Sequence, residues 1–162
     1  MSAGLPCVIR FVSSDEWEEA MGLAWKTFLE YEGDVYPPEG VRSFEDFITD
    51  SDLKRMFALG TYQMMGAFFS GKLIGMISLR NKTHISLLFV DGDYHRRGIG
   101  RALISFLSEY VRKEEGLNRL TVNASPYGVG FYHSKKTRHN PGLVYFREYT
   151  IQPQCRHRIM AC

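Results

Sequence analysis

The stretch of sequence that decides the fold runs Ile85-Ser86-Leu87-Leu88-Phe89-Val90-Asp91-Gly92-Asp93-Tyr94-His95-Arg96-Arg97-Gly98-Ile99-Gly100-Arg101-Ala102-Leu103. Its first part is apolar apart from one serine, which predicts a buried β-strand over residues 85–90. Beyond Gly98 and Gly100, apolar residues recur at spacings of three and four, which predicts a helix that ends at Gly116. The stretch therefore predicts a strand, a basic turn and a helix in direct succession.

The turn between this strand and this helix has the chemistry of an anion-binding site. The first N–H groups of a helix lack intrahelical partners, and the helix dipole adds partial positive charge there. Glycine lets an anion approach the main chain, and Arg96, Arg97 and Arg101 add full charges. This combination suits a diphosphate, and the alternative is that the glycines only shape a tight turn beside solvated arginines. The Walker and dinucleotide-binding motifs are excluded, because the lysine of the first and the third glycine of the second are absent.

Further strands are predicted on both sides of this stretch. Apolar runs predict strands over residues 62–69 and 73–79, joined by a short turn. Because short turns join these strands to the strand over residues 85–90, the three form an antiparallel meander. After the helix, alternation at Leu120, Val122 and Ala124 predicts a strand. A right-handed crossover makes that strand parallel to the one before the helix.

The N-terminal part of the chain predicts one strand and two helices. The strand covers residues 7–12, and Ser13 with Glu16 has the spacing of a capping box that begins the first helix. This helix should end before Pro37, and a second helix is predicted to begin near Ser43. The residues predicted to face the core are Trp17, Ala20, Met21, Ala24, Phe28 and Tyr31 on the first helix, and Phe44, Phe47 and Ile48 on the second.

The order of these elements predicts the fold class. A short helix from Ser125 through Tyr132 completes the series of strand, two helices, three strands, helix, strand and helix. This order gives an α+β fold with a mixed, mostly antiparallel sheet flanked by helices. No repeat or linker divides the chain, so residues 1–162 are expected to form a single domain.

The composition limits the classes of function. The 162 residues include 20 Lys and Arg against 18 Asp and Glu, for a net charge of +2. This balance argues against a nucleic-acid or membrane partner, so any anion site must be local. No apolar run approaches the roughly 20 residues that cross a bilayer, and no signal peptide is evident, so we expect a cytoplasmic protein. Neither the cysteines (Cys7, Cys155 and Cys162) nor the histidines have metal-ligand spacing, and no metal is expected.

The segment 91–103 resembles the acyl-CoA signature of the GCN5-related N-acetyltransferases (GNAT family), which is Gln/Arg-x-x-Gly-x-Gly/Ala at the start of the central helix. The similarity in element order extends from the first strand to Tyr132. It implies the GNAT, or acyl-CoA N-acyltransferase, fold with acetyl-CoA as co-substrate. The amides that would cradle the CoA pyrophosphate belong to Arg96, Arg97, Gly98, Ile99, Gly100 and Arg101.

The resemblance assigns roles to residues outside the turn as well. The main chain of Leu88, Phe89 and Val90 would lie beside the pantetheine arm and polarise the thioester carbonyl. Asn123 would contact the same arm. Tyr132 would protonate the departing CoA thiolate, which a phenol within hydrogen-bond reach can do; the alternative is an ordinary core aromatic.

One position departs from the family pattern, because His95 stands where the signature has Gln or Arg. An imidazole can still donate a hydrogen bond, so weaker or pH-dependent cofactor affinity is expected. The alternative is that His95 is an exposed turn residue whose side chain does little.

The acceptor site in this fold is built from the first helices and neighbouring loops, here residues 28–44. Tyr31, Tyr36 and the acids of this region would suit a cationic amine. No compelling general base is found: Glu30, Glu32 and His84 are candidates, but each is expected to be a solvated surface group.

After His133 the resemblance ends, and residues 134–162 are atypical of the family. Removing one adenine from the codons of Lys135 and Lys136 would allow the next codons to be reread as Leu-Gly-Ile, as in the family's turn. The same frame restores a family-like Arg-Phe-x-Pro run further on. The tail is therefore either frameshifted or a divergent segment with substitute strands.

The sequence thus predicts an acetyl-CoA-dependent N-acetyltransferase that acts on a primary amine of a small molecule or peptide, by direct attack in a ternary complex. A homodimer is compatible with the resemblance. The first alternative is a CoA-binding module that has lost catalysis, which His95 and the tail would favour. The second alternative is an interaction domain that does not bind CoA.

Overall fold

The computed structural model describes residues 6–118 and 120–122. Among these residues, no helix is long and apolar enough to cross a membrane. A 3-10 turn precedes the first α-helix, and another follows the fourth strand. The elements are β1 (Val8–Phe11), α1 (Trp17–Tyr31), α2 (Pro38–Ile48), α3 (Ser51–Ala58), β2 (Gln63–Phe69), β3 (Lys72–Arg80), β4 (His84–Val90), α4 (Ile99–Glu115) and β5 (Thr121–Val122).

The five strands form one sheet in chain order, β1-β2-β3-β4-β5. The first four are antiparallel neighbours, and β5 is parallel to β4, with His84 opposite Thr121 and Ile85 opposite Val122. The predicted α+β class, the meander and the parallel crossover are therefore confirmed. The predicted continuation of β5 to Ala124 and the helix after it lie outside the described residues.

The predicted start of the first helix is confirmed in atomic detail. The Glu16 carboxylate accepts from the Ser13 N–H at 2.9 Å, and the capping box is complete. The two terminal guanidinium nitrogens of Arg10, Nη1 and Nη2, also donate to the Glu16 carboxylate, at 2.8 Å each. The hydrogen bonds from Arg10 and Ser13 lower the pKa of Glu16 to about 2. The cap thus holds β1 and α1 together at the edge of the sheet.

The helices between α1 and the sheet differ from the prediction. The second helix begins at Pro38 rather than near Ser43, because proline fits the first helical position, where no N–H is needed. Ser43 is inside the helix, and its hydroxyl donates to the Glu39 carbonyl at 2.8 Å. Helix α3 was not predicted. Its N-cap is Asp50, whose carboxylate accepts from the Asp52 N–H at 2.7 Å.

The sheet separates two apolar clusters. Helices α1, α2 and α3 pack on one face of the sheet, to which the strands contribute Met76 and Phe89. Helix α4 packs on the other face, to which they contribute Ile77 and Leu88. Because side chains alternate along a strand, β3 and β4 supply both clusters and are buried on both faces. The two central strands thus hold α4 at a fixed position against the sheet.

Helix α4 packs on β3 at Gly75, which lies opposite Val90 of β4. A Cβ atom at Gly75 would lie 3.1 Å from Cγ2 of Ile99 and 3.2 Å from Cδ1 of Leu103. Both of these side chains are at most 3% exposed and belong to the first two turns of α4. The absence of a side chain at Gly75 therefore sets how closely α4 approaches the sheet.

We predict that Gly75→Ala lowers the free energy of unfolding by about 1 kcal/mol, because overpacking outweighs the entropy that alanine saves in the unfolded chain. The matched control is Gly22→Ala. A Cβ at Gly22, which is exposed within α1, meets no atom within 4 Å. That change should raise stability by about 0.5–1 kcal/mol. Urea unfolding of both variants measures the difference, and equal stabilisation by the two would contradict the packing argument.

Candidate functional site

The loop between β4 and α4 leads into the N-terminal amides of α4, which have no partner within the helix. Arg96 and Gly98 both have left-handed backbones, with φ of +62° and +80°. The first intrahelical hydrogen bond of α4 runs from the Ala102 N–H to the Gly98 carbonyl at 3.0 Å. The amides of Ile99, Gly100 and Arg101 therefore precede the first helical hydrogen bond, as the N-terminal amides of any α-helix do.

Positive charge is concentrated at this loop. The side chains of Arg96, Arg97 and Arg101 are exposed, and the first turn of α4 contains no acidic residue. The guanidinium carbon of Arg97 lies 5.7 Å from the centroid of the Tyr94 ring. Together with the helix dipole, these charges favour an anion at the N-terminus of α4.

The end of β4 adjoins this loop and is buried. Leu88 and Phe89 have no solvent exposure and Val90 is 8% exposed, and their side chains are divided between the two apolar clusters. All three side chains are therefore used in packing. Any contact of these residues with a ligand must be made by their peptide groups.

Asp91 fixes the first residue after β4. Asp91 is 3% exposed, and its carboxylate accepts from the Asp93 N–H at 3.0 Å and from the Lys26 ammonium at 3.3 Å. Burial raises the pKa of Asp91, but the hydrogen bonds from Asp93 and Lys26 outweigh it, and the net pKa is below its ordinary value. The charged carboxylate thus attaches the loop to α1.

The imidazole of His95 is directed back toward the strand. Its Nε2 lies 2.7 Å from the carbonyl oxygen of Val90. Because a carbonyl only accepts, Nε2 carries the proton of this hydrogen bond. The His95 ring also packs against the Tyr31 ring, with centroids 4.8 Å apart. The donor that the sequence analysis assigned to the cofactor is therefore used within the protein.

Tyr31 also reaches Gly92. A Cβ atom at Gly92 would overlap the Tyr31 hydroxyl oxygen and would lie 3.2 Å from Oε1 of Glu30. Glycine at this position thus leaves room for the ends of these two side chains, and the end of α1 covers the loop after β4.

One expectation about the acceptor side is wrong. Glu32 was expected to be a solvated surface group, but it is 1% exposed. The carbonyl of Glu32 accepts from the N–H groups of Val35 and Tyr36 at 3.0 and 3.3 Å, so the chain turns back over this residue. Glu30 is exposed as expected, while His84 is half-buried and its Nδ1 lies 2.8 Å from the Thr121 hydroxyl.

The structure brings together most of the residues predicted to bind the cofactor: the strand end formed by Leu88, Phe89 and Val90, and the loop from His95 to Arg101. Asn123, Tyr132 and the tail over residues 134–162 lie outside the described residues. The contacts of Lys26, Tyr31 and Gly92 with this loop were not predicted. The signal for these contacts in the sequence was Gly92 between Asp91 and Asp93, because a glycine permits another segment to approach the main chain closely.

The comparisons with known proteins agree with this geometry. The model of the acetyltransferase (GNAT) domain matches residues 32–135, which is more than half of the chain. The chain belongs to the GNAT family. This membership makes it an acetyltransferase, and the family uses acetyl-CoA as the acetyl donor. The match ends at Lys135, two residues after His133, beyond which the sequence no longer resembles the family pattern.

Solved structures of the family share the fold. A GCN5-related N-acetyltransferase from Rhodopseudomonas palustris is 21% identical with a TM-score of 0.71, covering 83% of each chain. The PaiA N-acetyltransferase from Thermoplasma acidophilum, solved in complex with coenzyme A, is 19% identical with a TM-score of 0.64, covering 80% of this chain and 87% of its own. A ribosomal-protein-alanine N-acetyltransferase from Brucella melitensis is 17% identical with a TM-score of 0.58, covering 90% of this chain and 98% of its own. Curated protein sequences give no match.

We predict that Asp91→Asn lowers the free energy of unfolding by about 1–3 kcal/mol near neutral pH, because the buried charged acceptor is lost. Since the folded pKa of Asp91 is below 3.8, its contribution is present above that pH and disappears as pH falls through the folded pKa. The difference between the two proteins should therefore shrink below pH 4. Urea unfolding between pH 7 and 2 measures it, with Lys26→Met as the control that leaves the carboxylate. A constant difference across this range would contradict the assignment.

Proposed function

We propose that this chain transfers the acetyl group of acetyl-CoA to a primary amine of a small molecule or peptide, by direct attack of the amine in a ternary complex. The observation that carries the proposal is the juncture of β4 and α4. This junction combines the N-terminal amides of α4, three exposed arginines and a glycine-containing turn. All of them adjoin the buried end of β4.

The loop fits the diphosphate of the acetyl donor. The amides from Arg96 to Arg101 would donate to it, and the arginines would neutralise its charge. A Cβ atom placed on Gly98 would meet no atom within 4 Å, so the space beside this glycine is open to a ligand. No acidic side chain in the first turn of α4 opposes an anion.

The end of β4 would hold the other part of the donor. Acetyl-CoA, when bound, supplies an activated thioester to the reaction. Because the side chains of Leu88, Phe89 and Val90 are buried, their peptide groups are what remains to orient the donor and polarise its carbonyl. We propose that Asn123 contacts the same arm, as the family resemblance implies.

The chemistry requires a neutral amine and a proton for the thiolate that leaves. We propose that Tyr132 provides that proton, again from the resemblance. On the acceptor side, the exposed carboxylates of Glu30, Asp34 and Glu39 and the half-buried rings of Tyr31 and Tyr36 would attract and hold a cationic amine. These groups lie at the end of α1, in the connection to α2 and in the first turn of α2.

The proposal is tested by incubating the protein with acetyl-CoA and a panel of amines and measuring the free thiol released. The panel should contain polyamines, aminoglycosides and peptides with free N-termini. Turnover on any amine supports the proposal. Thermal stabilisation by CoA without turnover favours a CoA-binding module, and no stabilisation by CoA would overturn the assignment of the loop.

We predict that Gly98→Leu weakens CoA binding at least 100-fold, because a side chain then fills the open space where the diphosphate would lie. The change also strains a left-handed backbone, at a cost of about 1–2 kcal/mol. Gly60→Leu is the matched control. Gly60 also has φ of +80° and no neighbour of its Cβ position within 4 Å, and it follows α3. Calorimetric titration with CoA should show normal affinity in the control, and equal loss in both variants would contradict the prediction.

We predict that Tyr132→Phe lowers kcat by 10-fold or more while the Kd of CoA changes less than twofold, because the phenol acts only when the thiolate leaves. Steady-state kinetics with a saturating amine and calorimetry with CoA measure the two quantities. An unchanged kcat would remove Tyr132 from the mechanism.

A further inference from the structure

His95 connects the two halves of the donor site. Its Nε2 lies 2.7 Å from the carbonyl oxygen of Val90, the last residue of β4. The next residue, Arg96, begins the loop with a left-handed backbone. A single side chain therefore ties the strand end to the turn that leads into α4.

Other contacts close the same loop without reaching Val90. The Tyr94 N–H donates to the Asp91 carbonyl at 2.9 Å, and the His95 N–H donates to the Gly92 carbonyl at 3.3 Å. These bonds fix the internal shape of the 3-10 turn. Within the part of the chain that the structure describes, the hydrogen bond from the His95 side chain joins this turn to the carbonyl of Val90, and the Tyr31 ring packs against the imidazole.

We propose that His95 is a positioning residue for the acetyl donor, which acts by holding the Val90 carbonyl through its Nε2–H and does not bind the diphosphate. This inference rests on the proposed function. The carbonyl oxygen has two lone pairs, so the hydrogen bond from His95 leaves the second one available. The bond fixes the direction of the Val90 peptide group, and with it the direction of the groups that would orient the thioester.

Two amide variants separate this role from a general structural one. His95→Gln places an amide nitrogen at the reach of Nε2 and keeps the donor to Val90. His95→Asn is also a neutral amide, but its nitrogen takes the place of Nδ1, and the hydrogen bond is lost. The pair is thus matched in polarity and differs in the one contact under test, and His95→Leu removes the donor altogether.

We expect His95→Asn and His95→Leu to lower kcat/KM for acetyl-CoA about fivefold to tenfold, the equivalent of one hydrogen bond. The KM for the amine should stay within twofold of the wild-type value. His95→Gln should retain kcat/KM for acetyl-CoA within about twofold. The role of His95 would be overturned if His95→Asn had the wild-type kcat/KM for acetyl-CoA, or if His95→Gln and His95→Asn lost the same amount of it.

A second measurement does not depend on activity. In protein labelled with ¹⁵N at histidine, the long-range ¹H–¹⁵N spectrum reports which ring nitrogen carries the proton, and the signal missing from His95→Gln identifies His95. We expect the Nε2–H tautomer at pH 8, and an Nδ1–H tautomer would overturn the inference. If wild-type protein fails to bind CoA at all, the proposed function fails instead, even where the spectrum shows the Nε2–H form.

Discussion

The position of the site depends on the packing of the first turns of α4 against the centre of the sheet. Ile99 and Leu103 are buried over Gly75, and a side chain at that glycine would meet both. Because the crossover from β4 to β5 is parallel, the N-terminus of α4 must lie near the carboxyl end of β4. The topology of the main chain alone therefore places the N-terminal amides of α4 beside the peptide groups at the end of β4.

Local patterns along the chain predict much of this architecture. Ser13 and Glu16 specify the start of α1, and Gly116 ends α4 with a left-handed backbone, as its sequence position indicates. The meander follows from short turns between apolar runs. Helix α3 was not predicted, because it buries little apart from Leu53 and its sequence therefore has only a weak apolar periodicity. The proline pair that begins at Pro37 was interpreted only as the end of the preceding helix, although its second member, Pro38, serves as a first helical residue.

The details of the site are less visible in sequence because they join distant segments. Lys26 and Asp91 are 65 positions apart, and nothing local indicates that they meet. Tyr31 was assigned to the core from its helical spacing, whereas it covers the loop at Gly92 and packs on His95. The burial of Glu32 was also not predicted, because local sequence does not show how the chain folds over it. An acid in a polar segment is ordinarily solvated, but here the chain turns back over it.

His95 shows how a departure from a family pattern can be absorbed by the fold. A longer Gln or Arg side chain at this position has reach to spare, while an imidazole is short and rigid. The structure places that ring between Tyr31 and the Val90 carbonyl, where its proton has a partner at 2.7 Å. The arginines and the amides at the N-terminus of α4 are left to meet an anion, so the histidine does not by itself argue for a lost donor site.

The tail has a different relation to the site. Every described residue proposed to contact the donor lies between Leu88 and Arg101, well before Lys135, where the match to the family model ends. An altered sequence after that point would leave the cradle and the strand end intact. The family resemblance assigns to the closing strands a role in stability, acceptor recognition and contacts between subunits, and an altered tail would act on these properties. An altered tail therefore does not by itself argue against binding of the donor.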